Sequence, residues 1–161
     1  CVTGNLRFEE MNNRYTMFFN GDAMGKSMQG AGGAIVAGTV INNIMSKSAR
    51  NDKILNVSPE KWLRSTFIEM DKTFRTFSGS MLVSGVIGLI SEITGEMLFF
   101  NAEHPFVVLL RDGNAEFIDK EIFLRKLGNE LNEKFVLIKL QLLPGDIIFA
   151  GSDGRDDIRI G

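Results

Sequence analysis

The stretch Arg14-Tyr15-Thr16-Met17-Phe18-Phe19-Asn20-Gly21-Asp22-Ala23-Met24-Gly25-Lys26-Ser27, continued by Gly30-Ala31-Gly32-Gly33-Ala34, decides how the chain reads. From Arg14 to Phe19 the residues alternate as a strand, with Tyr15, Met17 and Phe19 on one face and Phe18 as an apolar flank on the other. Asn20-Gly21-Asp22 is a turn signal. A helix is expected after it, over about Ser27 to Met45. Each glycine in its first half costs a helix about 1 kcal/mol relative to alanine. Such a run is tolerable where one backbone must lie very close to another.

Working outward, Ser46 to Asn56 reads as a polar loop. Ser58-Pro59-Glu60 is a helix start: a capping serine, proline at the first helical position and an acid at the positive end. Leu63, Phe67, Met70, Phe74 and Phe77 then form one apolar stripe, which is a core-facing side and not a cofactor motif. The remainder is expected to be β-rich. Met81 to Leu89 and Glu96 to Asn101 flank a Thr94-Gly95 turn. Phe106 to Leu110 and Ala115 to Ile118 flank Asp112-Gly113, a hairpin signal. Phe135 to Leu140 and Asp146 to Ala150 are joined through Leu143-Pro144-Gly145. A strand, two helices and a meander of strands make an α+β protein with antiparallel sheets and helices on an outer face.

At 161 residues, with 44% hydrophobic and 24% charged residues, the chain can build one domain with a real core. A net charge of −2 gives no electrostatic footprint for nucleic acid. Cys1 is the single cysteine and cannot form an internal disulfide. It has no histidine near it in sequence and reads as a bland terminal residue. No apolar run is long enough to span a bilayer, and the N-terminus lacks the pattern of a signal peptide. The expectation is therefore a cytoplasmic domain without membrane contact.

Three segments could carry chemistry. Gly25-Lys26-Ser27 hints at a phosphate-binding P-loop, but that motif needs four residues between its glycines. Here three residues separate Gly21 from Gly25. Asp22 would also put a carboxylate among phosphate oxygens. An acid at a strand end beside small residues suits a hard cation such as Mg²⁺ or Mn²⁺ better. Gly151-Ser152-Asp153-Gly154 repeats this arrangement, with Asp156 and Asp157 close behind. Both sets also read as ordinary turn acids. In Asn101-Ala102-Glu103-His104-Pro105, His104 is the only histidine. It reads either as a structural residue or as a general acid or metal ligand.

Taken together, the three segments resemble the metal-dependent protein phosphatase 2C superfamily, in its bacterial sporulation stage II E branch. The branch carries Gly-Asp-Val-x-Gly-Lys/His-Gly before small residues, matched by Gly21-Asp22-Ala23-Met24-Gly25-Lys26-Ser27. Its Asn-Ala-Gly-His-Pro is matched by Asn101-Ala102-Glu103-His104-Pro105. Its Pro-Gly-Asp, strand and Thr-Asp-Gly are matched by Pro144-Gly145-Asp146, Ile147 to Ala150 and Ser152-Asp153-Gly154, with Asp157 as a nearby acid. Order and spacing agree over nearly the whole chain.

The resemblance implies two stacked antiparallel β-sheets flanked by helices, the four-layer phosphatase 2C sandwich. It implies one phosphatase domain over 1–161, lacking flanking N- and C-terminal segments. It implies two Mn²⁺ or Mg²⁺ ions bridged by a water or hydroxide that attacks phosphorus directly, with no covalent enzyme intermediate. Asp22 and Asp153 would be catalytic. Asp22, the Ala23 carbonyl and Asp153 would be metal ligands. Gly21, Gly25, Asn101, His104, Gly154 and Asp157 would support them. The glycine-rich helix would lie just behind the site, and Ser58 to Phe77 would double as regulatory surface. The implied substrate is a phosphorylated bacterial regulator, such as an anti-sigma-factor antagonist. A homodimer and an upstream sensor domain are compatible with this reading, and no residue specifies either.

The chain departs from the family pattern at several points. An upstream acid in a Gly-Asp strand and a late acid in an Asp-Asp/Asn segment are not visible. Glu103 stands for the usual glycine. Met24 stands where animal members place a histidine, which leaves protonation of the leaving serine to solvent. The alternative reading is a pseudophosphatase, the same fold used as a regulatory interaction module.

Overall fold

The computed structural model describes residues 1–8, 13–25, 28–50, 56–131 and 134–155, excluding the side chains of residues 29 and 155. Eight strands and two helices follow one another as β1 (Val2–Phe8), β2 (Asn13–Ala23), α1 (Met28–Arg50), α2 (Pro59–Arg75), β3 (Val83–Ser91), β4 (Glu96–Ala102), β5 (Val108–Arg111), β6 (Asn114–Phe117), β7 (Ile138–Gln141) and β8 (Ile147–Phe149). The strands form a five-stranded sheet, β1-β2-β3-β4-β7, and a three-stranded sheet, β6-β5-β8. Every ladder is antiparallel.

Two cores lie on opposite faces of the large sheet. On one face Tyr15, Met17, Phe19, Ile87, Leu89 and Phe100 pack under the helices, against Ile41 of α1 and Leu63, Phe67, Met70 and Phe74 of α2. On the other, Val86, Met97 and Phe99 meet Val107, Ile118 and Ile148 from the small sheet and its flanks. The sheets are therefore stacked, and α1 and α2 cover the outer face of the larger one. The alternation read along Tyr15–Phe19 follows directly: odd positions face the helices and Phe18 faces the second sheet. The α2 stripe is the core stripe that its spacing predicts. Ser58 caps that helix by accepting a hydrogen bond from Lys61 N.

Three local expectations need correction. Asn20-Gly21-Asp22 is not a turn, because β2 continues to Ala23, with Gly21 paired to Gly85 and Asp22 to Ser84. Gly21 serves packing: a Cβ there would lie 2.5 Å from the ring of Phe19, which folds back over the strand. The first helix also runs to Arg50, beyond Met45. Its last turns are held by tertiary contact, since the Ser48 hydroxyl donates to Ile44 O and accepts from Trp62 Nε1. Finally, β1 is a strand that the sequence reading left unassigned. It pairs with β2 from Val2↔Phe19 to Phe8↔Asn13. The Asp112-Gly113 hairpin forms as expected, with φ of 50° and 79° at its two central residues, the signs a type I′ turn requires. No helix among the described residues is long and apolar enough to cross a membrane.

Candidate active site

Strand ends bring the sequence-predicted residues to one cavity. Its volume is about 690 Å³, and its lining includes Asp22, Ala23, Met24, Gly25, His104 and Asp153. Asp22 and Ala23 close β2. The next residue is pinned to the start of β3, where Met24 N donates to Leu82 O at 2.8 Å. Asp153 opens a short 3₁₀ turn beyond β8. The approach to it is tied to β2 by Asn20, whose side-chain amide donates to Ala150 O. The carboxylates of Asp22 and Asp153 are both exposed.

His104 arrives from the end of β4 and is buried. Asn101 braces its loop from both sides, accepting from His104 N at 2.7 Å and donating to His104 O at 3.0 Å. Asn101 also donates to the buried Asp119, which accepts from Val107 N as well. Ser84 Oγ lies 3.0 Å from His104 Nδ1 and 3.4 Å from the Asp22 carbonyl. A hydroxyl has one proton. If it donates to the Asp22 carbonyl, His104 Nδ1–H must be the donor to Ser84 Oγ. The histidine is thereby coupled to the backbone of the residue that carries the main carboxylate.

The glycine-rich start of α1 lies against this site. A Cβ on Gly33 would fall 2.6 Å from Ala23 Cβ, and one on Gly30 would fall 2.5 Å from the Gly25 carbonyl oxygen. Neither approach is possible with a larger residue, so these glycines set the depth at which the helix backs the β2 terminus.

Glu103 has φ = 50°. Glycine occupies this backbone region without cost, while other residues seldom do. The glycine of the Asn-Ala-Gly-His-Pro pattern thus has a conformational reason. In this chain Glu103 takes the strained position and forms ion pairs with Arg125 at 3.6 Å and Lys126 at 3.5 Å. Lys126 also lines the cavity.

The donor set fits a hard divalent cation. Two exposed carboxylates at one cavity, also lined by Ala23, are oxygen donors of the kind Mg²⁺ or Mn²⁺ takes, with water to complete the set. Among the described residues no three acidic, histidine or cysteine side chains cluster as a ready-made cage, so water would supply much of the coordination. The β1–β2 ladder runs only as far as Val2↔Phe19, so Asp22 has only β3 as a described ladder neighbour.

Of the expected supporting residues, Gly25 and His104 line the cavity. Gly21 lies within β2 beneath Phe19, Asn101 braces the His104 loop, and Gly154 is in the 3₁₀ turn. Asp157, Asp156, Lys26 and Ser27 lie outside the described residues. Ser84, Asp119 and Lys126 were not anticipated. Each comes from a segment remote in sequence and carries no local motif, so only the fold reveals them.

A family model described as stage II sporulation protein E (SpoIIE) matches residues 12–160. The chain belongs to the SpoIIE family. No match was found among curated protein sequences. The SpoIIE domain is similar to the S. agalactiae serine/threonine phosphatase, with TM-score 0.71 and 13% identity over 97% of this chain and 74% of that one. It is also similar to the RsbU and RsbW domains of a Mycobacterium tuberculosis protein, with TM-score 0.66 and 20% identity, covering 94% of this chain and 38% of that one. A third similar structure is the PP2C phosphatase domain of SpoIIE from Bacillus subtilis, with a fragment of its regulatory domain. There the TM-score is 0.66 and the identity 10%, over 95% of this chain and 40% of that one. The chain therefore spans about two fifths of the last two. At these identities the likeness is one of fold: an α+β protein with two antiparallel sheets and helices, as in PP2C phosphatases.

Proposed function

We propose that residues 1–161 form one phosphatase domain that hydrolyses phosphoserine or phosphothreonine on a bacterial regulatory protein. The observation that carries this reading is the meeting of Asp22, the Ala23 segment and Asp153 at one cavity, in the SpoIIE fold. An anti-sigma-factor antagonist is the substrate class that the family resemblance suggests.

In this reading Asp22, the Ala23 carbonyl and Asp153 would hold two Mn²⁺ or Mg²⁺ ions, which would supply an acidified water and neutralisation of phosphoryl charge. The chain's own residues position this chemistry. Gly30 and Gly33 let α1 back the β2 terminus closely. Asn20 fixes the approach to Asp153. Ser84 and His104 hold the backbone of Asp22. Met24 offers no proton, so the leaving serine takes its proton from solvent through the open cavity.

The test is Mn²⁺-dependent hydrolysis of p-nitrophenyl phosphate by the wild type and by Asp22→Asn and Asp153→Asn. Hydrolysis that requires metal and is lost in both folded variants is the expected result. A folded wild type that neither hydrolyses nor binds Mn²⁺ would instead assign the domain to the pseudophosphatase class, as a regulatory interaction module.

A further inference from the structure

The charged lining of the cavity is Asp22, Glu103 and Asp153 against Lys126. Three carboxylates repel a phosphomonoester dianion, and metal ions held by Asp22 and Asp153 would reverse this only where they sit. Lys126 is the sole lysine or arginine among the described residues of that lining.

Its placement is built into the fold. Leu127 exchanges two backbone hydrogen bonds with Val83, at 2.7 and 3.2 Å, and Leu124 bridges to Ala102. Val83 precedes Ser84, and Ala102 precedes Glu103. The segment Leu124-Arg125-Lys126-Leu127 is therefore clamped beside two strands that build the site. Leu124 and Leu127 are buried in the core, at 1% and 0% exposure. The two cations between them pair with Glu103, and of the two Lys126 lines the cavity. The 3.5 Å Lys126–Glu103 separation is an ion pair longer than a normal hydrogen bond. The pair holds the ammonium at the cavity wall.

We propose that Lys126 is a phosphate-binding residue of this site, contacting the phosphoryl dianion of the substrate, with Glu103 as its tether. The proposal rests on the phosphatase reading for its substrate, and its test is separable from that reading. A lysine suits this role as a compact point charge that phosphate accepts without fixed geometry. The tether is a departure of this chain from the pattern, since Glu103 stands where Asn-Ala-Gly-His-Pro has glycine.

The experiment compares wild type, Lys126→Met and Lys126→Arg for Mn²⁺ affinity, inorganic phosphate binding by calorimetry and p-nitrophenyl phosphate kinetics. Loss of one charge-assisted contact is expected to weaken phosphate binding and raise KM in Lys126→Met by about tenfold. Mn²⁺ affinity and kcat should stay within about twofold, since the metal ligands are untouched. Lys126→Arg should restore most of the loss. Unchanged phosphate affinity in a folded, Mn²⁺-binding Lys126→Met overturns the proposal. A wild type that binds phosphate without hydrolysing anything would sink the phosphatase reading alone, and the calorimetry would still decide the role of Lys126.

Discussion

At the scale of single residues, two side chains show what the motifs contain physically. Asp146, the acid of Pro144-Gly145-Asp146, accepts from Leu143 N at 2.8 Å and takes both forks of Arg111, at 2.9 and 2.6 Å. It closes the turn before β8 and ties that turn to β5. The Arg111 hydrogen bonds, then the Leu143 amide, hold its carboxyl down to about 2, from 3.8. A depressed folded-state value stabilises the protein above about pH 4, and the contribution is lost as pH falls toward 2. Asp146→Asn should therefore be less stable than wild type at pH 5, with the gap closing by pH 2. Denaturant midpoints across that range would test it, and a constant gap would refute the linkage. Glu103 offers the opposite case. Replacing it with glycine relieves a left-handed backbone costing roughly 1 kcal/mol or more. It also removes two partly exposed ion pairs worth about 0–1 kcal/mol each. Glu103→Gly should melt at the wild-type temperature or slightly above it, and a drop of several degrees would show that the ion pairs dominate.

At the scale of elements, α1 owes its composition to what lies behind it. Gly30→Ala would press on the Gly25 carbonyl and Gly33→Ala on Ala23, while a Cβ on Gly38 meets nothing within 4 Å. The first two are overpacking changes costing about 1–3 kcal/mol. Gly38→Ala should instead gain about 0.5–1 kcal/mol from helix propensity. Because the strained contacts fall on the β2 terminus, Gly30→Ala and Gly33→Ala should also weaken Mn²⁺ binding, and Gly38→Ala should not. Thermal melts with metal titrations on the three variants would check this, and equal behaviour would refute a packing role for the site-proximal glycines. The glycine run was legible as close approach, and the α2 stripe as core, because both are periodic and local. The turn read at Asn20-Gly21-Asp22 failed because Gly21 and Gly85 face each other across a ladder under the Phe19 ring, and strand β3 begins 60 residues later. Likewise Ser84 and Lys126 reach the cavity only through β3 and the Val83–Leu127 bridge. Pairings of that range leave no mark on the local pattern.

At the scale of the whole molecule, one sheet serves as a wall for two cores. Strand β3 is buried along almost its entire length, which explains why its sequence runs apolar and small without alternating. Phe67 and Phe100 pack on the helix side, with ring centroids 5.3 Å apart, and Phe99 packs toward the small sheet. The candidate active-site cavity opens where the ends of β2 and β4 meet the loop after β8, so its geometry depends on both cores holding the large sheet in place. If the sheet couples them, the domain has no independently stable half. Phe67→Ala and Phe99→Ala should each cost about 3–5 kcal/mol. Both should lower a single transition seen identically by the β-sheet dichroism and by Trp62 fluorescence, the latter reporting the α1–α2 side. Their effects should add, since the two rings lie in separate clusters on opposite faces. If Phe99→Ala shifted only the β signal and left the Trp62 transition in place, the two cores would be separate cooperative units.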